Sequence, residues 1–299
     1  MLNRTLVSLL PLVPRPLVWR FSRRYIAGKS LDAALECVQD LNQNGMSATL
    51  DVLGEDTTST DDCLEGRDLY LRALEKIEKQ ELDCNISVKL SQMGLRFDPE
   101  LCRSVMRDLV SAAEERRNFV RIDMEDASVT QITLDIYREL RRQYRCVGTV
   151  IQAYLFRTPK DVAQLLEEKI GHLRLCKGIY VESPEIAITD REGIRDAYNE
   201  ILDQLIEGDA EKIAIATHDR PLVDAALERI EKHQLPKERY EFQMLLGVTE
   251  GIRKELVDGG HPLRVYVPFG EQWYAYSSRR LRENPQIAGH VIKNLFRRQ

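Results

Sequence analysis

Residues 147–178 read VGTVIQAYLFRTPKDVAQLLEEKIGHLRLCKG and contain two kinds of sequence pattern. Residues 147–154 and 173–178 are short apolar runs, which are typical of buried β-strands. Residues 159–169 lie between them and repeat their apolar positions with the period of a helix. A strand, a helix and a second strand in this order predict a βαβ unit with parallel strands.

The same alternation continues along most of the chain. Strands are predicted at residues 47–53, 85–90, 119–123, 147–154, 173–178, 212–217, 240–246 and 262–267. Amphipathic helices are predicted between them, at residues 61–81, 99–117, 130–143, 159–169, 194–207, 220–233 and 249–259. Eight near-continuously apolar strands alternating with helices predict an α/β fold, a (βα)8 TIM-type barrel, regular or distorted, with N-terminal helices. A doubly wound sheet is the weaker alternative, because no Gly-x-Gly-x-x-Gly motif follows the first strand.

No low-complexity linker or break in composition divides the chain. We therefore predict an N-terminal helical arm, residues 1–46, and a barrel catalytic domain, residues 47–299, that ends in a C-terminal substrate-binding helix. The apolar run at residues 6–13 faintly imitates a secretory signal, but prolines interrupt the run and we do not expect export. Residues 16–29 are basic and amphipathic, which fits either a helix packed on the barrel or a contact with a membrane surface.

The composition argues against several classes of function. The net charge of −5 over 299 residues gives no basic surface for a nucleic acid. The six cysteines are scattered, without a Cys-x-x-Cys motif or paired histidines at metal-binding spacing, so we expect neither disulfides nor a metal site. Reduced thiols are typical of a cytoplasmic protein.

Polar residues stand at the carboxyl ends of the predicted strands, where barrel enzymes have their active sites. These residues are Lys89, Asp123, Gln152, Arg174, Lys177, Thr217, His218 and Tyr266. Unpaired polar groups inside a barrel are costly, so such a set is poorly explained by structure alone. Taken singly, Asp123 could cap a helix and His218 could be a hydrogen-bonded core histidine. Together they predict a functional site at this end of the barrel.

Residues 273–284, WYAYSSRRLREN, predict a helix with aromatic and charged side chains on one face. Tyr276, Arg279, Arg280 and Glu283 fall on that face at helical spacing. Two adjacent guanidinium groups can hold a carboxylate, and Glu283 can orient them and offset part of their repulsion. The face therefore predicts an anion clamp with an apolar wall.

This C-terminal segment resembles the signature of the proline dehydrogenase family of flavoenzymes. Seven other segments are similar to the same family: SVKL at 87–90, RIDME at 121–125, QAY at 152–154, RLCKG at 174–178, ATHD at 216–219, FQMLLG at 242–247 and RVY at 264–266. They occur in the family's order, at spacings like those of its monofunctional bacterial members. The resemblance extends to the proline dehydrogenase domain of the bifunctional proline utilization A proteins.

The resemblance implies roles for individual residues. Those that would contact the flavin are Gln152, Arg174, Cys176, Lys177, Gly178, Thr217 and His218. Those that would contact the substrate are Glu55, Lys89, Leu245, Tyr266, Tyr276, Arg279, Arg280 and Glu283. Lys89, Asp123, Arg174 and Tyr266 would form the catalytic set. Within it, Asp123 would hydrogen-bond Tyr266, and Arg174 would lie near N5 of the flavin.

The resemblance also implies a reaction and its partners. A hydride would pass from C5 of L-proline to N5 of FAD, or of FMN, and the product would be Δ1-pyrroline-5-carboxylate. A quinone would accept the electrons, which keeps open a peripheral contact with the inner face of the cytoplasmic membrane. A separate glutamate semialdehyde dehydrogenase would take the product. Ile179 and Leu246 depart from the commonest family pattern, which leaves the range of cyclic substrates open.

Three alternative functions stay open at this point. Hydroxyproline could be the substrate, although Tyr266 is the residue found in proline-preferring members of the family. Lys89 and Lys177 stand where a barrel aldolase would place a Schiff-base lysine. The chain could also bind a flavin without catalysis. Proline-dependent bleaching of a yellow protein would separate proline oxidation from the last two of these functions.

The predicted clamp can be tested by replacing its arginines. We expect Arg279→Met and Arg280→Met each to raise the KM for proline by about tenfold or more, because a charge-assisted bidentate contact contributes roughly 1.5–3 kcal/mol. The flavin content should not change. Steady-state kinetics at full flavin occupancy measure the effect, and an unchanged KM in both variants would refute the clamp.

Overall fold

The computed structural model describes residues 18–19, 22–54, 56–274 and 276–277. Four predicted site residues, Glu55, Arg279, Arg280 and Glu283, lie outside the described residues. Within the described ranges, no helix is long and apolar enough to cross a membrane. The same ranges contain no group of three or more histidine, cysteine or acidic side chains that could hold a metal ion.

Eight parallel strands form a closed barrel. They are β1 Ser47–Val52, β2 Cys84–Lys89, β3 Val120–Asp123, β4 Val147–Gln152, β5 His172–Cys176, β6 Lys212–Ala216, β7 Tyr240–Leu245 and β8 Leu263–Phe269. Each strand pairs with the next one along the chain, and β8 pairs with β1 to close the sheet. The predicted (βα)8 barrel is confirmed.

Helices surround the barrel. In the described part of the chain they are α1 Leu31–Gln43, α2 Thr60–Lys79, α3 Pro99–Glu115, α4 Thr130–Arg141, α5 Thr158–Glu167, α6 Arg191–Glu207, α7 Arg220–Lys232 and α8 Glu250–Asp258. Short 3-10 turns lie at Ala127–Val129 and Lys237–Arg239. Four helices have an N-cap residue whose side chain accepts a hydrogen bond from a backbone N–H group of the first turn: Ser30 before α1, Ser59 before α2, Asp98 before α3 and Asp190 before α6.

The helix before the barrel, α1, takes a position that a later helix has in a regular barrel. α1 packs against both β1 and β8, so it covers the groove that a helix after β8 would cover in a regular barrel. The chain after β8 is instead helical at Trp273 and Tyr276, and Tyr276 lines the cavity described below. Trp19 of the N-terminal arm contacts Trp273, with ring centroids 4.8 Å apart. The division into an arm and a barrel domain stays a prediction.

The two faces of the strands differ in chemistry. Outward-facing residues such as Leu50, Ile86 and Val88 are fully buried apolar side chains beneath the helices. Inward-facing positions carry many polar residues: Thr49, Asp51, Ser87, Lys89, Arg121, Asp123, His172, Arg174, Glu241, Gln243, Arg264 and Tyr266. The prediction of near-continuously apolar strands therefore holds only for their outward faces. The interior is polar because its charges pair with one another across the barrel.

Arg121 shows how such a charge is accommodated. Its side chain is buried, and its Nη1 donates to the carbonyl oxygens of Thr149 and His172 at 2.9 Å each. Its Nη2 donates to Nδ1 of His172 at 3.0 Å. Burial and the charge of Arg121 lower the pKa of His172 well below its ordinary value, so the ring stays neutral and can accept. Gly148 on β4 leaves the room that this guanidinium occupies.

A methyl group at Gly148 should disturb this packing. A Cβ there would lie 2.5 Å from Nη1 of Arg121 and 2.6 Å from the carbonyl oxygen of His172. We expect Gly148→Ala to lower the free energy of unfolding by about 1–3 kcal/mol, the usual cost of overpacking a core. Urea denaturation measures this change.

Gly251 of α8 provides the matched control, because a Cβ there would meet nothing within 4 Å. We expect Gly251→Ala to leave the free energy of unfolding unchanged or to raise it by up to about 1 kcal/mol, since alanine has a higher helix propensity than glycine. Equal free energies of unfolding for the Gly148→Ala variant and the unmodified protein would show that the side chains around Arg121 can rearrange without loss of stability.

Candidate active site

A cavity of about 430 Å³ lies at the carboxyl ends of the strands. Twelve of the predicted site residues line it: Lys89, Asp123, Gln152, Arg174, Cys176, Lys177, Gly178, Thr217, His218, Leu245, Tyr266 and Tyr276. They include every predicted site residue that the structure describes. The structure thus brings them together in one place, and their individual roles stay predictions.

Asp123, the last residue of β3, is the centre of a hydrogen-bond cluster. Its Oδ1 accepts from Nη1 of Arg174 at 2.5 Å and from Oγ of Ser87 at 2.7 Å. Its Oδ2 accepts from the hydroxyl of Tyr266 at 2.6 Å. Burial alone would raise the pKa of Asp123, but the charges of Arg174 and Lys89 and these hydrogen bonds hold it below its ordinary value. Asp123 is therefore an ionised carboxylate that joins side chains from three other strands.

Arg174 on β5 is held from two sides. Besides its bond to Asp123, its Nε donates to Oε1 of Gln243 at 2.5 Å. Its guanidinium carbon lies 5.4 Å from the ring centroid of Tyr266, within range of a cation–π contact. Among the described residues, no hydrogen bond engages Nη2 of Arg174. This amino group is therefore left for a ligand in the cavity.

Lys89 and Asp51 form a second ion pair in the cavity wall. Nζ of Lys89 lies 2.8 Å from Oδ1 of Asp51, whose side chain is completely buried. Burial raises the pKa of Asp51, although the charge of Lys89 opposes that effect. Over the described ranges, Oδ2 of Asp51 is a buried oxygen without a hydrogen-bond partner. Sequence analysis missed Asp51, and its one signal was that it is the single charged residue of the strand predicted at residues 47–53.

His218 joins the ends of two neighbouring strands. Its Nε2 accepts from the backbone N–H of Leu245 at 3.0 Å, and its Nδ1 lies 2.8 Å from Oγ1 of Thr249. Because Nε2 accepts, the ring proton sits on Nδ1 and points to Thr249. This arrangement fixes the loop that follows β7 and the position of Leu245.

Three cations surround Asp219 after β6. Arg195 donates to both of its carboxylate oxygens at 3.0 and 2.8 Å, and Lys177 donates to Oδ2 at 3.1 Å. Arg191 lies 3.8 Å away. Mainly because of the hydrogen bonds from Arg195, with burial opposing and Lys177 assisting, the pKa of Asp219 falls to about 2. Arg195 also donates to Oε1 of Glu192 at 2.8 Å, so three cations face two carboxylates. The one remaining positive charge suits an anion such as a phosphate group.

Two predicted cofactor residues have structural partners. Nε2 of Gln152 donates to the carbonyl oxygen of Glu125 at 2.9 Å, which fixes its side chain in the cavity wall. Gly178 has a φ of +104°, and a Cβ there would lie 2.2 Å from the ring of Tyr154. Only glycine fits at that position, because both its conformation and the neighbouring ring exclude a side chain.

Known proteins match this chain over most of its length. Residues 34–293 match the sequence model of the proline dehydrogenase family. Proline dehydrogenase 1 of Bacillus subtilis (strain 168) is 36% identical over 278 residues, 93% of this chain and 91% of the relative. The proline dehydrogenase of Deinococcus radiodurans is 32% identical over 288 residues, 95% of this chain and 92% of the relative.

A solved structure has a similar fold. The proline utilization A protein of Bdellovibrio bacteriovorus, inactivated by N-propargylglycine, superposes with a TM-score of 0.83 and 29% sequence identity. The match covers 92% of this chain and 34% of the other one, so this chain spans about a third of that longer protein.

The Asp219 cluster predicts a specific dependence of stability on pH. Because its pKa is lower in the folded than in the unfolded protein, Asp219 stabilises the fold fully above its unfolded pKa of about 4. That contribution is lost as the pH falls toward 2. We therefore expect Asp219→Asn to be less stable at neutral pH, and the two free energies of unfolding to converge as the pH falls.

Urea denaturation across this pH range measures the effect. Asp224 is the control, because it forms an exposed ion pair with Arg220 on the surface of α7. We expect Asp224→Asn to change the free energy of unfolding by less than about 1 kcal/mol. A constant gap between Asp219→Asn and the unmodified protein at every pH would contradict the proposed coupling.

Proposed function

Because the chain belongs to the proline dehydrogenase family, we propose that it oxidises L-proline to Δ1-pyrroline-5-carboxylate in the cavity described above, with a flavin as hydride acceptor. The single observation that carries the proposal is the position of Arg174. Its guanidinium lies between residues predicted to contact a flavin and residues predicted to contact the substrate.

The two predicted sets occupy separate arcs of the barrel. Residues for the flavin stand on β4, β5 and β6 or directly after them, as do Gln152, Arg174 and Thr217. Those for the substrate that the structure describes come from β2, β7, β8 and the segment after β8. Arg174 reaches from the first arc to Asp123 on β3 and Gln243 on β7. This arrangement supports a site where two molecules meet at one guanidinium.

The residues present fit a flavin nucleotide. Nη2 of Arg174 would face the ring system, and a positive charge there favours a ring that becomes anionic on reduction. Lys177, Arg191 and Arg195 carry one more positive charge than Asp219 and Glu192 neutralise, which suits phosphate groups. We propose FAD, with FMN as the alternative, and the flavin supplies the hydride-accepting atom when it is bound.

The protein's contribution is positioning and charge. Lys89, together with the predicted clamp of Arg279 and Arg280, would hold the proline carboxylate, while Leu245 and Tyr276 would contact the apolar ring. Holding a rigid five-membered ring in a reactive orientation removes much of the entropic part of the barrier. Burial raises the pKa of Tyr266 well above its ordinary value, so its hydroxyl stays protonated and continues to donate to Asp123.

The lysines of the cavity are less suited to Schiff-base chemistry. Lys89 and Lys177 both form ion pairs, with Asp51 and Asp219, so a carboxylate engages the nitrogen that would have to attack a carbonyl. The aldolase alternative loses its support for this reason.

We propose in addition that a quinone accepts the electrons, through a peripheral contact with the membrane, and that a separate glutamate semialdehyde dehydrogenase takes the product.

Anaerobic mixing with L-proline tests the proposed function. We expect a yellow protein whose flavin colour is lost on addition of proline, and more efficiently than on addition of trans-4-hydroxy-L-proline. In the same experiment, Arg174→Met should lower the midpoint potential of the flavin and slow its reduction, because it removes the positive charge nearest to the ring.

Two further variants make the result specific. Arg174→Lys keeps the positive charge but lacks the planar guanidinium group. The midpoint potential of its flavin should therefore lie between those of the methionine variant and the unmodified protein. Arg103→Met, which breaks an ion pair with Glu139 between outer helices, is the control and should reduce at the unmodified rate. A flavin that keeps its colour with proline would refute the function, and an unchanged potential in Arg174→Met would refute the role of that arginine.

A further inference from the structure

A row of buried and partly buried polar side chains leads from Arg174 down into the barrel. Oε1 of Gln243 accepts from Arg174, and Nε2 of Gln243 donates to Oε1 of Glu241 at 2.5 Å. Nε of Arg264 donates to both carboxylate oxygens of Glu241, at 3.0 and 3.2 Å. Nη1 of Arg264 donates to the backbone carbonyl of Ala48 at 2.6 Å. The row thus ends on the backbone of β1.

The chemistry of the row allows Gln243 one orientation. An arginine only donates hydrogen bonds and a carboxylate only accepts them, whereas an amide does both from opposite ends. The oxygen of Gln243 must therefore face Arg174, and its nitrogen must face Glu241. A leucine would break both contacts, and a glutamate would place two carboxylates side by side.

We propose that Gln243 and Glu241 are positioning residues, which hold the guanidinium of Arg174 so that its Nη2 faces the bound flavin. The inference rests on the proposed function. Gln243 accepts from Nε of Arg174, and Asp123 accepts from its Nη1. These two hydrogen bonds come from opposite sides of the barrel and fix the plane of the guanidinium group. The direction of the remaining amino group, Nη2, is then set without a hydrogen bond of its own to the described residues.

Glu241 adds a charge to this geometry. Its side chain is buried, and although burial alone would raise its pKa, the charge of Arg264 and the hydrogen bond from Gln243 hold it below its ordinary value. Glu241 is therefore ionised. Only the side-chain amide of Gln243 separates it from Arg174, so its negative charge partly offsets the positive charge of that arginine. Replacing Glu241 by glutamine removes the charge but leaves an oxygen that can still accept from Gln243 and Arg264.

Two variants of the holoenzyme separate geometry from charge. Gln243→Leu should lower the limiting rate of flavin reduction by proline about tenfold or more, the effect of one charge-assisted hydrogen bond. The half-saturating proline concentration should not change, and the midpoint potential should fall because the fork is displaced. Glu241→Gln should keep the fork in place, and its midpoint potential should rise because an opposing negative charge is lost.

Glu211→Gln is the matched control. It removes the carboxylate partner of another arginine with a buried side chain, Arg141, on a helix outside the barrel. This variant should lose stability without a change in potential. Thermal unfolding and flavin content are recorded for all three variants.

The outcomes are distinct. Opposite shifts of the potential in the two β7 variants support the inference. An unmodified rate and potential in Gln243→Leu overturn it, as does a loss of rate that only follows loss of flavin or of thermal stability. The potentials are measured by chemical reduction without proline. A failure of proline to bleach the unmodified flavoprotein would therefore refute the proposed function and still leave the positioning of Arg174 decided by the potentials.

Discussion

The carboxylate of Asp123 must be paired because it is buried and ionised, and the polar interior of the barrel follows from that requirement. A buried charge without partners is strongly destabilising, so each group that pairs with Asp123 needs partners of its own. Arg174 finds them in Gln243, and Gln243 in turn contacts Glu241. A single carboxylate at the end of β3 thus accounts for polar residues on β2, β5, β7 and β8.

Because the interior of the barrel is polar, most of the apolar surface whose burial stabilises the fold lies outside the strands. Most (βα)8 barrels fill their interior with branched apolar side chains, whereas here the large apolar core lies between strands and helices. That layer needs a helix over every groove, and α1 covers the groove between β8 and β1. The described residues after β8 are therefore not required for the outer layer, and Tyr276 among them can line the cavity instead. In this way the N-terminal helix makes room for a C-terminal contribution to the site.

Sequence patterns predicted the order and type of the elements because apolar periodicity reports local structure. They also located the polar residues of the site, since strand ends share one side of a parallel barrel. They did not single out Asp51, Glu241 or Gln243, which lie inside predicted strands and whose importance depends on partners up to 69 positions away. The predicted clamp of Arg279 and Arg280, with Glu55 and Glu283, lies outside the described residues and stays a prediction.

The sequence motifs that identify the family are physically linked to one another. Arg174 of RLCKG bonds Asp123 of RIDME, and Gln152 of QAY donates to the carbonyl oxygen that closes RIDME. Lys177 bonds the aspartate of ATHD, and the histidine of ATHD accepts from a backbone N–H of FQMLLG. Gly178 lacks a side chain where the ring of QAY lies. The motifs occur together because each one completes the hydrogen bonds or the packing of another, so a change in one motif removes a partner from the next.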